Sequence, residues 1–248
     1  MSSASSWEYR YKFLILVLSQ PALAFLGSWA CGLGGDWYAP EFEASTGLVA
    51  VAIGLVGCLL RLQGASTLST HVMASTSPDT HGLVTKGIFG AVRNPLYLGT
   101  ILLFGAYGLF FDWKIAAVFV VFHWVRYDRV VRFEESLLKA DWGQPFEDYC
   151  LAVPRWLPRL GRLRLDSSLL SLDSLLSNSL FVGLWLGLVA SVLTGSLLAL
   201  LPFEVAGGVI MAAHFARAGR TQGSSRWRVR LQLEPRSVEA ELATRKVA

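Results

Sequence analysis

Two polar clusters interrupt an otherwise apolar chain. The first reads His71-Val-Met-Ala-Ser-Thr-Ser-Pro-Asp-Thr-His81-Gly-Leu-Val-Thr-Lys-Gly-Ile-Phe89-Gly-Ala-Val-Arg93-Asn-Pro-Leu-Tyr97. It is too polar to face lipid and too rich in glycine and proline for one long helix, so its backbone groups need protein, water or a ligand as partners. The second reads Arg126-Tyr-Asp-Arg129-Val-Val-Arg132-Phe-Glu134-Glu135-Ser-Leu-Leu-Lys139. At ~3.6 residues per turn, Glu134 shares a face with Tyr127 and Val130 or Val131, and Glu135 with His123, Tyr127 and Val131. Two adjacent carboxylates at the end of such a stripe could hold a cationic cofactor and its hydroxyls. The other reading is an interfacial helix in which Arg132 and Lys139 pair with the glutamates. Beyond it, Asp141 to Pro158 spaces aromatics and prolines as an interfacial loop or short helix does, with Trp and Tyr as anchors.

The elements that must position these clusters are set by composition. Of 248 residues 53% are hydrophobic and only 16% charged, with a net charge of +4. A soluble domain of this size cannot hide so much apolar surface, so the expectation is an integral membrane protein. Residues 13–35, 44–60, 94–111 and 174–203 carry no charge, and a bilayer core takes ~20 apolar residues in a helix. Residues 115–125 and 205–216, each interrupted only by a histidine (His123 and His214), add two weaker spans. Cys31, Cys58 and Cys150 form no metal-binding pattern and read as small hydrophobes. No metal is expected.

Loop charges test this count, because cytoplasmic loops are rich in Lys and Arg. With both ends inside, 21 of the 22 basic residues fall on the cytoplasmic side, including Arg61, Lys86 and Arg93 in the 61–93 loop. On this reading the turns at Asp112 to Lys114 and Pro202 to Glu204 lie outside. A signal peptide, with Arg10 and Lys12 before Phe13 to Leu18 and Ala22-Leu23-Ala24 as cleavage site, is the competing reading of the first span. The tail from Gly219, with Arg226-Trp227-Arg228-Val229-Arg230, reads as a basic segment beside anionic lipid and not as a nucleic-acid binder. Gly183, Gly187, Gly195, Gly207 and Gly208 suggest close helix packing, against the core or against a second copy in a homo-oligomer.

His81-Gly-Leu-Val-Thr-Lys-Gly, then Arg93-Asn-Pro-Leu-Tyr97-Leu-Gly, then Glu134-Glu135, then Gly143, Phe146, Tyr149 and Val153-Pro154 ending at Pro158, resemble in order and spacing the isoprenylcysteine carboxyl methyltransferase family and its phospholipid methyltransferase relatives. The resemblance covers residues 71 to 158. The spans and loop charges give an all-α, polytopic membrane protein of about six transmembrane helices, and to it the resemblance adds a cytoplasmic cofactor-binding loop and helix, with S-adenosylmethionine as the cofactor and a lipidic substrate. The chain then divides into an N-terminal helix pair (1–70), a methyltransferase-like core with two membrane helices (71–160), a further helix pair (161–216) and a basic cytoplasmic tail (217–248). Carried over by position, it implies cofactor contacts from His81, Gly82, Leu83, Val84, Asn94, Pro95, Leu96, Tyr97 and Glu134. Arg93, Asn94 and Glu135 stand in the catalytic positions, and Arg126 and Arg129 are the candidates for the substrate.

Departures from the family fall mainly on the substrate side. Asn94 stands where His is usual, keeping a donor and acceptor but not a charge. Phe89 stands for a Tyr and Ala74 for a Gln. Val130 replaces the arginine that prenylcysteine enzymes place one turn before the glutamate for the substrate carboxylate, and Arg129 points ~100° away on an ideal helix. Methyl transfer from a sulfonium needs alignment and exclusion of water. A carboxylate acceptor requires no base, whereas an amine would need His81, His71 or Glu135. The alternatives are an NADPH-dependent sterol or lipid reductase, against which the turn Pro95-Leu96-Tyr97 counts, and a catalytically silent scaffold.

Overall fold

The computed structural model describes residues 8, 11–30, 42–68, 82–163 and 171–222, and among them every regular element is helical. The helices are α1 (Lys12–Ala30), α2 (Ala44–Thr67), α3 (Pro95–Leu109), α4 (Trp113–Trp142), α5 (Gln144–Ala152), α6 (Leu172–Ser177), α7 (Ser179–Thr194) and α8 (Leu200–Gln222). α2 lies against α3 and α7, α3 against α4, and α7 against α8, while α1 leans on α4. Leu103 and Phe104 of α3, Ile115 and Phe119 of α4, and Phe181, Leu184 and Leu188 of α7 form the buried core.

Local chemistry sets the helix ends. Pro95 opens α3 at a position where its missing N–H costs nothing. The Asp112 carboxylate caps α4 by accepting the Lys114 backbone N–H at 2.7 Å. Gly143, with φ +54°, stops α4 and redirects the chain into α5. α4 is one continuous helix, so the apolar 115–125 stretch and the charged run after it share an axis, as expected.

Two boundaries differ from the sequence reading. The uncharged 174–203 stretch is not one span. It holds α6, α7, a turn and the start of α8, because Gly195 adopts φ +68° and the Ser196 hydroxyl accepts the Leu198 N–H. Absence of charge marks apolar length, not continuity. The turn therefore falls at Gly195 and Ser196, and Pro202 to Glu204 lie inside α8. Likewise Arg61 is not in a loop: α2 continues through it to Thr67, and Arg61 is buried.

Among the described residues two helices, Ala44–Thr67 and Leu197–Ala218, are long and apolar enough to cross a membrane, and Leu14–Leu23, Pro95–Leu109 and Ser179–Thr194 are shorter apolar helices. Their outward faces are apolar as well: Leu48, Val49 and Val56 on α2, Val118 and Val121 on α4, and Leu201, Val205 and Val209 on α8 are exposed. Helices apolar on every side suit a lipid surround, which has no reason to repel them. α2 and α3 cross at Gly57 and Gly99, where a Cβ on either would stand 2.6 Å or 2.5 Å from the other's carbonyl oxygen. α7 and α8 cross in the same way at Gly183 and Gly207, with Gly187 against Leu200, whereas Gly195 serves the turn.

Candidate active site

The site is assembled on the first turn of α3. The segment from Gly82 to Thr85 has no regular structure, and no atom of the described residues packs over Gly82. Val84 packs with Leu96 and Leu98 against Ile88, Phe89 and Val92, which fixes this segment beside the Asn94-Pro95-Leu96-Tyr97 turn. From the turn, the Tyr97 hydroxyl donates to Glu134 Oε1 at 2.7 Å, and the Tyr97 ring stacks on Tyr127 of α4 at 4.8 Å. The loop, the turn and the acidic end of α4 therefore meet, with Tyr97 as the joint. Val130 is buried between Tyr97 and Phe133. His81 and His71 lie outside the described residues.

Glu135 faces a different set of partners. Arg93 Nε donates to Glu135 Oε1 at 3.1 Å, Arg155 Nε donates to the same oxygen at 3.2 Å, and Arg155 Nη2 bonds Oε2. Arg93 Nη1 also donates to the carbonyls of Cys150 and Val153 at 2.8 and 2.9 Å. Both Glu135 oxygens are thus held by guanidinium N–H groups, the geometry of a structural anchor more than of a base awaiting a proton. Asn94 makes no cap bond to its own helix; its Nδ2 donates to the Arg155 carbonyl at 3.3 Å. The backbone completes the junction: Arg93 N–H donates to Pro154 O at 2.9 Å, Arg159 N–H to Ala91 O at 3.0 Å, and the Tyr149 hydroxyl to Phe89 O at 2.8 Å. Burial pushes the Tyr149 hydroxyl pKa up, so it stays a donor.

Arg132 and Lys139 are not the glutamates' partners. Arg132 Nε bonds Asp128 Oδ2 at 2.6 Å, one turn back, and Lys139 pairs with Glu147 of α5 at 2.7 Å. Asp128, only 3% exposed, also meets Trp156 Nε1 at 3.4 Å and Arg155 Nη1 at 3.5 Å. Burial raises its pKa, but hydrogen bonds from Arg132 and Trp156 and the charges of Arg132 and Arg155 outweigh this and hold it below the usual carboxylate range. Of the two arginines read for the substrate, Arg129 makes a two-pronged bond to Glu8 at 2.9 and 3.0 Å, and Arg126 lies against the Tyr127 ring, its guanidinium carbon 4.7 Å from the centroid. Arg155, Asp128 and Trp156 carry this junction without having been singled out from sequence. The four-residue spacing of Asp128 and Arg132 was the available signal for one pair; the pairing of Arg155 with α4 depends on the reversal at Gly143.

Taken together, a loop and an aromatic turn are fastened to the acidic end of a long helix beside an apolar helical bundle. Residues 45–144 match the phospholipid methyltransferase family. The chain is 29% identical over 118 residues to the probable protein-S-isoprenylcysteine O-methyltransferase of Oryza sativa subsp. indica, covering 47% of this chain and 62% of that protein. It is 26% identical over 172 residues to protein-S-isoprenylcysteine O-methyltransferase of Mus musculus, covering 62% and 56%. It is also 26% identical over 121 residues to a nickel-cobalt-cadmium resistance protein of Alcaligenes xylosoxydans xylosoxydans, covering 48% and 55%. The matches thus span less than two thirds of these relatives' length. No solved structure matches the chain.

Proposed function

We propose that the protein is a membrane-embedded methyltransferase that binds S-adenosylmethionine at the junction of the 82–86 segment, the 94–97 turn and Glu134, and methylates a lipid-attached carboxylate such as that of a prenylated cysteine. The observation that carries the reading is the Tyr97–Glu134 hydrogen bond, which sets a carboxylate and two stacked aromatic rings beside an open loop. This donor set fits the cofactor: Glu134 suits ribose hydroxyls or an ammonium, extended backbone at Gly82 to Val84 suits an adenine edge, and the Tyr97 and Tyr127 rings suit a sulfonium. The relatives' printed activity, O-methylation of isoprenylcysteine, supports that acceptor class.

When bound, the cofactor supplies an electrophilic methyl on a positively charged sulfur. Methyl transfer to an acceptor carboxylate would remove two opposite charges together, so what the chain would have to provide is an apolar, water-poor setting. The chain's task is then alignment. Glu134 and Tyr97 hold one side; Arg93, Glu135, Arg155 and Asn94 lock the turn to α4 and to the 150–159 segment, so the two walls keep their spacing. Because both Glu135 oxygens are engaged, a carboxylate acceptor, which needs no base, suits the site better than an amine. The expected topology is polytopic with both termini cytoplasmic, the cofactor arriving from the cytoplasm and the lipidic acceptor from within the bilayer.

Titration calorimetry on purified protein tests the reading. S-adenosylhomocysteine should bind and NADPH should not; binding of NADPH alone would favour a reductase, and of neither a silent scaffold. Replacing Glu134 with Ala should weaken S-adenosylhomocysteine about tenfold or more, the loss of one or two charge-assisted hydrogen bonds, while Arg132→Ala changes it little. Equal affinities in the two variants would remove Glu134 from the site.

A further inference from the structure

The helix pair that follows the family-matched region reaches the turn through one buried arginine. Arg61 of α2 is 7% exposed. Its Nη1 donates to the Leu96 carbonyl at 3.0 Å and to the Thr100 hydroxyl at 2.5 Å, and that hydroxyl donates to the same carbonyl at 2.9 Å. On its other edge, Nε donates to Asn178 Oδ1 at 3.1 Å, and the guanidinium carbon sits 3.3 Å from the centre of the Phe181 ring. Asn178 is fully buried, and its own NH₂ donates to Ser174 O at 3.1 Å and Ser177 Oγ at 3.3 Å, so its carbonyl cannot turn away from Arg61. Among the described residues no carboxylate pairs with Arg61.

A guanidinium is planar, always charged and costly to bury, so its position is dictated by whatever satisfies its N–H groups. Here those groups are the Leu96 carbonyl, at the centre of the proposed cofactor turn, the Thr100 hydroxyl, and an amide at the start of α7. Sliding α7 would either leave the Arg61 Nε–H short of a partner in an apolar bundle or draw the guanidinium away from Leu96. Phe181 closes the third side. Asn178 and Phe181 both lie beyond residue 144, where the family match ends.

We propose that Arg61 and Asn178 are positioning residues for the cofactor turn, so that the α7–α8 pair acts as a brace for methyl-donor binding. This rests on the methyltransferase reading above. The brace acts on the turn through the Leu96 carbonyl and makes no contact of its own with the donor or the acceptor. Its signature is a loss of cofactor affinity that leaves the acceptor's KM alone, which a general loss of stability would not produce.

The test uses the full chain in lipid nanodiscs, with S-adenosylhomocysteine titrations, thermal melts, and KM values for S-adenosylmethionine and for N-acetyl-S-farnesylcysteine. Asn178→Leu should weaken S-adenosylhomocysteine binding about tenfold and raise the S-adenosylmethionine KM correspondingly, the cost of one charge-assisted bond to Arg61, while the acceptor KM stays put. Asn178→Asp, whose carboxylate accepts from the same N–H, should stay within about twofold of the parent. If Asn178→Leu does not fold, Asn178→Ser, too short to reach Arg61, takes its place with the same expectation. A folded Leu or Ser variant that binds S-adenosylhomocysteine like the parent overturns the brace and leaves the methyltransferase reading standing. So does a folded Asp variant that binds no better than Leu. A parent protein that binds no S-adenosylhomocysteine overturns both.

Discussion

His123 is the residue whose surroundings least match its chemistry. It is fully buried on α4, stacked 4.6 Å from Phe104 and 6.0 Å from Tyr127, and among the described residues neither ring nitrogen meets a hydrogen-bonding group. An unpaired buried polar group costs roughly 1–3 kcal/mol, and an apolar group of the same shape removes that cost. His123→Phe should therefore raise stability by about that amount in a thermal melt; a lower melting temperature would mean that the imidazole has a partner worth keeping. Asp128 gives the opposite case. Its folded pKa lies below its unfolded value near ~3.9, so its contribution is complete above that pH and is lost as pH falls through the folded pKa. Melts from neutral pH down to about 3 should show the parent losing stability on the acid side beyond what Asp128→Asn loses, the variant being less stable at neutral pH. Identical pH profiles would show that the Arg132, Arg155 and Trp156 contacts do not discriminate the charged form.

Among the elements, the α2–α3 crossing controls most of what lies around the turn. Gly99 touches Gly57 across it, and a Cβ on Gly99 would also come 2.7 Å from Arg61 Cγ. Gly99→Ala should cost about 1–3 kcal/mol by overpacking and should also weaken S-adenosylhomocysteine, because it pushes on the arginine that holds Leu96. Calorimetry and melting of the same sample check both effects, and an unchanged melt would show that the helices separate without penalty. Such a crossing is hard to read from sequence: glycine spacing announces a close approach but not the partner, and Gly183, Gly207 and Gly195 look alike until backbone geometry sorts two into a crossing and one into a turn. α4 was legible as one helix because its polar stripe keeps the helical period through Glu135. The Tyr97–Glu134 junction was legible only as two motifs expected to meet. Arg93 with Glu135 and Arg155 was not, since three residues 42 and 20 positions apart share no periodicity.

At the scale of the molecule, charge and hydropathy marked where apolar segments lie, and they misplaced the turn between the last two helices because an uncharged stretch carries no signal for where it bends. α4, by contrast, has a length with a physical consequence. Its 30 residues rise about 1.5 Å each, about 45 Å in all, against a hydrocarbon core of ~30 Å. On the proposed topology the apolar 115–125 stretch lies in that core, and the charged run from Arg126 carries the same helix out of it to Glu134. A helix of fixed length thus sets the height of the acidic end above the acyl chains, whereas the height of the proposed lipidic acceptor would be set by the bilayer itself. Thicker host lipid would draw Glu134 toward the hydrocarbon and thinner lipid would lift it clear. Turnover in vesicles of graded acyl length should therefore peak at one thickness and fall on both sides, and a flat profile would mean that tilting of the bundle absorbs the mismatch.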